Sequence, residues 1–361
     1  MKLSSGNSLD YYTGTASSFS LIIKNGSSRY TSTESSGPIP STSQISLSNS
    51  GGGTWLYKRP IVITNNSSSS ISDYQIQVNP FISSAFTTAY NSIRFTKSDG
   101  TEIPYWQEST TSYWIKYTGS LPTGTSTIYM YYGNTSAVQS GAYANNGSNT
   151  FLAFDDFSDG SISANWSSLG GNGTISESSG TINFSYNGLL DNDWWTWGRP
   201  EKILKLNSLP SADFSADVYL SSYQVNWNVH AGIGAYANDG TAYLFGRYTA
   251  DWYDEDCGCG GSENNYVIES IGGRLATYEN TSLPAHLSIK RVGSVWSFNY
   301  STNGLAWTQV GSVNDANINS LILFGKEWGG DDLSFSMDNF KIHKYISNAP
   351  SYTPPGAEVT L

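Results

Sequence analysis

Apolar and polar residues alternate in short runs along nearly the whole chain, and Gly, Asn, Ser and Pro bound the runs. This period of two predicts β-strands, while no stretch sustains the i, i+3, i+4, i+7 spacing of an amphipathic helix. The reading is therefore all-β. From Trp55 onward, strands are predicted over Leu56 to Thr64, Tyr74 to Val78, Ser92 to Phe95, Glu102 to Trp106, Tyr113 to Tyr117 and Thr127 to Tyr132. Ser98-Asp99-Gly100 supplies a hairpin turn. These short strands suit a small β-sandwich over residues 54–145. After a linker near Gly141 to Asn149, about eleven further runs between Thr181 and Tyr345 predict a two-sheet jelly roll over residues 150–346.

The ends read differently. Residues 1–53 form an extended arm and linker with one clear strand, Phe19 to Lys24, followed by an Asn25-Gly26 turn. A lone strand is unstable in water, so it is expected to add to an open sheet edge, in its own molecule or in a neighbouring subunit. Pro350, Pro354 and Pro355 mark residues 347–361 as a solvated tail.

Composition narrows the function. Only 13% of the 361 residues are charged, and the net charge of −11 argues against a nucleic-acid-binding surface. With 12 Trp and 25 Tyr, the chain has ample material for a core. No apolar run approaches the ~18 residues of a membrane span. Met1-Lys2-Leu3 leads into polar residues instead of a signal-peptide core, which sets a secreted surface protein against a virion component exposed after assembly. Cys257 and Cys259 are too few for a disulfide scaffold. Around Gly258 they read as loop thiols, with a strained disulfide or a metal loop with Asp254 and Asp256 as the alternatives.

Two resemblances follow from particular motifs. Trp55 to Asn65, Ile93 to Gly100, Ile103-Pro104-Tyr105-Trp106 and Ile128 to Asn134 resemble, in that order, a domain-of-unknown-function family of archaeal and bacterial surface proteins. The family has no assigned activity, so the resemblance implies a place and no chemistry. Phe154-Asp155-Asp156-Phe157-Ser158-Asp159-Gly160, Phe298 to Trp307, and Met337-Asp338-Asn339-Phe340 resemble the concanavalin A-like lectin and glucanase jelly rolls. That resemblance implies glycan binding, protein joining or sugar cleavage, and fold alone does not choose among them. It also implies a Ca²⁺ ion between the opening and closing strands, held by Asp155, Asp156, Asp159 and Asp338. The plain alternative makes Asp159-Gly160 a turn and Asp338 a strand-end acid.

Catalytic patterns are weak. The Glu-x-Asp-x-x-Glu-like strand of the glucanases does not occur, and Asp251, Asp254-Glu255-Asp256, Glu327 and Asp331-Asp332 read as solvated loop acids. His230, His286 and His343 fall on different strands with no hydrolase motif to recruit them. Gly232-Ile233-Gly234 sits inside an alternating strand and reads as structural. Aromatic side chains can stack on the C–H face of a pyranose, and Trp194, Trp195, Trp197, Trp252, Tyr253 and Trp328 lie in Gly/Asp-rich segments suited to that role or to a buried interface. Trp296 and Trp307 alternate within strands and read as core. Sequons at Asn25, Asn134, Asn146, Asn165, Asn172, Asn183, Asn280 and Asn299 are candidate glycosylation sites.

The expectation is a non-enzymatic adhesion or receptor-binding protein on an extracellular surface. Its partner would be a glycan or cell-envelope receptor. The alternatives are a pilus or virion-fibre subunit joined to neighbouring subunits through the arm, and a glycoside hydrolase.

Overall fold

The computed structural model describes residues 7–15, 18–25, 28–34, 47–79, 93–138, 141–187, 201–224, 228–254, 259–280, 282–328 and 332–361. Within them the chain is all-β apart from one helical turn, Gly147–Thr150. The small sandwich pairs a sheet of Tyr57–Asn65, Gly124–Tyr132, Arg94–Lys97 and Glu102–Ile103 with a second sheet of Ile71–Val78, Tyr113–Leu121 and Tyr105–Gln107. Alternation makes the core: Ile61 and Ile63 turn inward with Ile128, Met130 and Phe95, all fully buried. Tyr105 packs edge-on to Phe95 with ring centroids 5.2 Å apart. The predicted hairpin turn is present. Asp99 Oδ1 accepts the Thr101 N–H at 2.9 Å, and Gly100 takes φ 87°, a left-handed conformation that glycine adopts without strain.

The tail expected to be solvated is docked on the small sandwich, although most of its residues stay exposed. Ser351–Tyr352 pairs with Tyr57–Asn65 at Thr64 and Ile63, and Val359–Thr360 pairs with the same strand at Lys58 and Tyr57. Between them Thr353 N and Gly356 N donate to the carbonyls of Val62 and Pro60, both at 2.9 Å. The tail thus covers an edge that would otherwise expose unpaired backbone groups. Its prolines are compatible because N–H groups of the intervening residues make the bonds.

The arm also differs from expectation. Ser18–Asn25 is not a lone strand but the centre of an antiparallel meander with Asn7–Thr15 and Ser28–Glu34. A two-residue connection at 26–27 sets Asn25 opposite Ser28, the register an Asn-Gly hairpin favours.

The jelly roll holds two antiparallel sheets. One is eight-stranded, in the order Thr174–Ser178, Thr181–Tyr186, Leu333–Lys344, Phe214–Tyr223, Ala285–Val292, Val295–Ser301 and Thr308–Asn314, with Ala153–Asp155 added to Leu333–Lys344. The other is seven-stranded: Trp166–Leu169, Ile203–Leu206, Ser320–Glu327, Val229–Asn238, Thr241–Asp254, Cys259–Ser270 and Gly273–Tyr278. Phe184 stacks on Phe335 at 4.5 Å between the sheets, and Trp296 is buried with them. Gly232 faces Gly246 across the ladder, where a Cβ would fall 2.1 Å from the Phe245 carbonyl oxygen. A packing reason for that glycine is therefore in place. Trp307 departs from expectation: it lies in the loop after Val295–Ser301 and is 37% exposed.

The expected linker at 141–149 is instead packed on the small sandwich. Asn146 N donates to Tyr105 O at 2.8 Å, and the Asn146 side chain caps the helical turn through Asn149 N. Phe151 then joins Trp106 and Trp114 in a buried aromatic cluster.

Candidate functional site

The six aromatic candidates do not form one described group. Trp194, Trp195 and Trp197 lie outside the described residues. Trp252 and Tyr253 are not in a loop: they belong to Thr241–Asp254, with their backbones opposite Gly261 and Gly260. Asp251 and Asp254 share that strand, so neither is a loop acid. Cys259 opens the next strand opposite Asp254, and Cys257 lies outside the described residues.

Trp328 follows the end of Ser320–Glu327 and is anchored by its own N–H, which donates to Asn228 O at 2.9 Å. Its ring lies 5.1 Å from that of Tyr248, tilted by 34°. The Lys326 ammonium sits 4.8 Å over Trp328, and the Arg274 guanidinium 4.8 Å over Tyr248, both within cation–π range. Arg274 also pairs with Glu263 at 2.6 Å. Behind these rings Glu269 takes Lys326 Nζ at 2.5 Å and His230 Nδ1 at 3.1 Å. Burial works to raise the Glu269 carboxyl, but the His230 hydrogen bond and the Lys326 charge outweigh it and hold the group at about 2. Burial keeps the His230 imidazole below its usual range, and its Nδ1–H donates a hydrogen bond to the Glu269 carboxylate. Period-two alternation explains the convergence, because His230, Tyr248 and Lys326 occupy facing positions on adjacent strands.

Glu327 is another correction, because it is fully buried instead of solvated. Its backbone N–H donates to Glu201 Oε1 at 3.1 Å. Glu201 is itself fully buried, and burial, with the Glu327 charge adding to it, pushes its carboxyl up to about 8. Sequence reading missed Glu201 altogether. A single acid in an otherwise apolar and basic stretch, Pro200-Glu201-Lys202-Ile203-Leu204, was the available signal.

Each of the four calcium candidates has a local hydrogen-bond partner. Asp155 Oδ1 accepts the Phe157 N–H at 3.0 Å and its Oδ2 the Trp166 indole N–H at 3.0 Å; Asp159 Oδ1 accepts Ser161 N at 2.9 Å and Ser161 Oγ at 3.0 Å. Those carboxylates serve their own turns. Asp156 Oδ1 accepts the Ser158 hydroxyl at 2.7 Å and Asp338 Oδ1 accepts Asn339 N at 2.6 Å, and burial, with the Asp156 charge adding to it, pushes the Asp338 carboxyl up to about 6. Among the described residues no three of His, Cys, Asp and Glu gather as a metal-ligand group.

Among the sequons, Asn165 is exposed, and Asn146, Asn172, Asn183 and Asn280 are half-buried. Asn134 and Asn299 are buried, with their Nδ2 groups donating to Gly52 O at 2.9 Å and Ser297 O at 3.1 Å. The folded chain leaves those two no room for a glycan. The Asn25 side chain lies outside the described residues.

Against known proteins, the profile of a domain of unknown function, DUF2341, matches residues 89–169, under a quarter of the chain. The match runs from within the small sandwich into the first strand pairs of the jelly roll. No curated protein sequence matches the chain. Solved structures with partial likeness include a functionally unknown protein from Saccharomyces cerevisiae, at 12% identity over 51% of this chain and 98% of that one, with a TM-score of 0.40. A GH43 protein, BlXynB from Bacillus licheniformis, is 13% identical over 93% of this chain, with a TM-score of 0.43; this chain spans 64% of its length. The exoplasmic/lumenal domain of VIP36, in a Ca²⁺- and Man3GlcNAc-bound form, is 10% identical over 50% of this chain and 85% of that one, with a TM-score of 0.34. Likeness of this degree carries no argument about activity. No helix among the described residues is long and apolar enough to cross a membrane.

Proposed function

We propose that the chain is a non-enzymatic, glycan-recognising adhesion or receptor-binding protein exposed on an extracellular surface, secreted or borne on a virion. The observation that carries this reading is the Trp328–Tyr248 ring pair, bordered by Lys326, Arg274, Glu269 and Glu263. A sugar ring needs an apolar face beside polar edges, and this patch offers both. Trp328→Ala and Tyr248→Ala are each expected to weaken binding on a glycan array about tenfold or more, as loss of an aromatic anchor costs about 1–3 kcal/mol. Unchanged binding by both folded variants would remove the patch from the account.

Calcium belongs to this proposal through Asp156 and Asp338, whose mutual repulsion a cation would relieve. The subunit reading rests on the arm: neither outer strand of its three-stranded sheet pairs elsewhere among the described residues. Deleting residues 1–50 should then abolish assembly, as followed by light scattering, while the remainder stays folded.

A further inference from the structure

We infer that a second ligand site, for one residue of a neutral sugar, lies in the cleft between the two sandwiches. The inference rests on the glycan reading above and adds a site and a ligand class to it. The cleft has a volume of about 360 Å³ and lies between the end of Ile71–Val78, the 108–112 turn and the outer face of the eight-stranded sheet. Small-ligand sites favour such module boundaries and span about 300–1,000 Å³.

One wall is aromatic, and three lining side chains carry no hydrogen bond among the described residues. Tyr219 lies against His286 with ring centroids 4.8 Å apart, and Trp307 stands edge-on to His286 at 6.4 Å. Leu305, 53% exposed, lines the cleft from the loop after Val295–Ser301, and Trp307, 37% exposed, follows on the same loop against His286. Asn339 sits at a β-bulge, where the register between Phe214–Tyr223 and Leu333–Lys344 shifts, and it holds φ 55°. Bulges re-aim side chains, and a non-glycine residue in the left-handed region is strained backbone that the surroundings maintain. The side chains of Asn79, Asn339 and His286 make no hydrogen bond among the described residues, although all three line the cleft.

Charge decides the ligand class. Glu108 is the one carboxylate in the lining, and both its oxygens are engaged. Oε1 takes Lys341 Nζ at 2.7 Å; Oε2 takes Gln77 Nε2 at 2.6 Å, Trp114 Nε1 at 3.1 Å and Ser112 Oγ at 3.3 Å. Lys341 is thereby paired and lies outside the lining, so the lining offers neither a free ammonium nor a free carboxylate. Burial, with the Lys341 charge adding to it, keeps the His286 imidazole below its usual range and uncharged at neutral pH. Neutral amides, a neutral imidazole and a ring wall suit hydroxyls arranged around a C–H face.

The test uses the full chain, with xylohexaose, cellohexaose and mannohexaose as neutral probes and a galacturonate hexamer as the anionic one, in titration calorimetry. In the Trp328→Ala background, at least one neutral probe should bind with one site per chain. Adding Trp307→Ala or Asn339→Gly should weaken that binding tenfold or more; glycine tolerates the Asn339 backbone, so folding is preserved. The His286 ring resonances should shift on adding the same probe to the wild-type chain. If Trp328→Ala alone removes all binding, the cleft is wrong and the Trp328 patch stands. If Trp307→Ala alone removes it, the cleft stands and the patch fails. Binding of only the anionic probe, or of no probe, overturns the cleft.

Discussion

Two acids at the junction of the sandwiches, Glu108 and Asp217, and two in the jelly roll, Glu201 and Asp338, titrate in opposite directions. Glu269, held at about 2 by His230 and Lys326, follows the paired set. At the junction Glu108 and Asp217 each have a cationic or imidazole partner. Burial opposes ionisation of Glu108, but Lys341 at 2.7 Å outweighs it and lowers the carboxyl. Burial opposes ionisation of Asp217 too, yet His343 at 3.1 Å, with Lys341 nearby, holds it down at about 2. Glu201 beside Glu327, and Asp338 beside Asp156, face like charges and are pushed up to about 8 and about 6. Partner charge therefore decides where desolvation alone would give one answer for all four. The junction is also packed through Trp106, Trp114 and Phe151.

Breaking the junction should have the largest effect. Lys341 is 3% exposed, and its ammonium lies 5.8 and 5.9 Å from the centroids of Trp106 and Trp114. Lys341→Met strands the Glu108 charge and should cost about 3–5 kcal/mol in urea unfolding. Adding Glu108→Gln should recover more than half of that loss, since removing both charges avoids the stranded one. No recovery would mean that packing, not pairing, holds the sandwiches together.

Glu201 should respond in the opposite sense. Its folded carboxyl stays protonated up to about pH 8 while the unfolded one ionises near 4.5. The folded state then binds more protons across that window, so stability falls as pH rises through it. Glu201→Gln, which keeps an acceptor for Glu327 N, should be nearly neutral at pH 5 and stabilising by about 3 kcal/mol at pH 9. Equal effects at both pH values would show that Glu201 is ionised in the fold.

The sequence made the two-sandwich plan legible because alternation and turn chemistry are local. The hairpin at Ser98-Asp99-Gly100 and the buried faces of Tyr57–Asn65 follow from them directly. What it concealed depends on distant partners. Prolines in 347–361 signal irregular backbone equally in a free tail and in one docked on Tyr57–Asn65. Trp307 has the alternating neighbours of a strand residue, but the turn bonds that Asn303 Oδ1 accepts from Leu305 N and Ala306 N carry it out of the ladder. Of the site, Trp328 was visible from its Gly-rich surroundings. Tyr248, Arg274 and His286 were not, because their convergence requires strand order and register.

Acid should weaken the junction next. Asp217 contributes stability above its unfolded value of 3.8, and that contribution is lost as pH falls toward its folded value of about 2. The stability difference between wild type and Asp217→Asn should be about 2 kcal/mol at pH 6 and vanish near pH 2. A difference that persists at pH 2 would assign Asp217 a packing role instead of a charge role.

The smallest effect concerns Asp338, which is partly open to solvent, so its repulsion with Asp156 is screened and worth about 1 kcal/mol. Its raised carboxyl means that, with chelator present, stability falls as pH rises from about 4 through about 6. Asp338→Asn removes that penalty and should raise the melting temperature slightly at pH 7 in EDTA. With Ca²⁺ in excess the sign should reverse, because a cation bound only to the folded chain stabilises the wild type by mass action and the variant has lost a ligand. Melting curves of both proteins, in EDTA and in Ca²⁺ at equal ionic strength, read the sign directly. The same sign in both buffers would take calcium out of the fold and leave Asp156 and Asp338 as an unrelieved like-charge pair, in contrast to the paired acids of the junction.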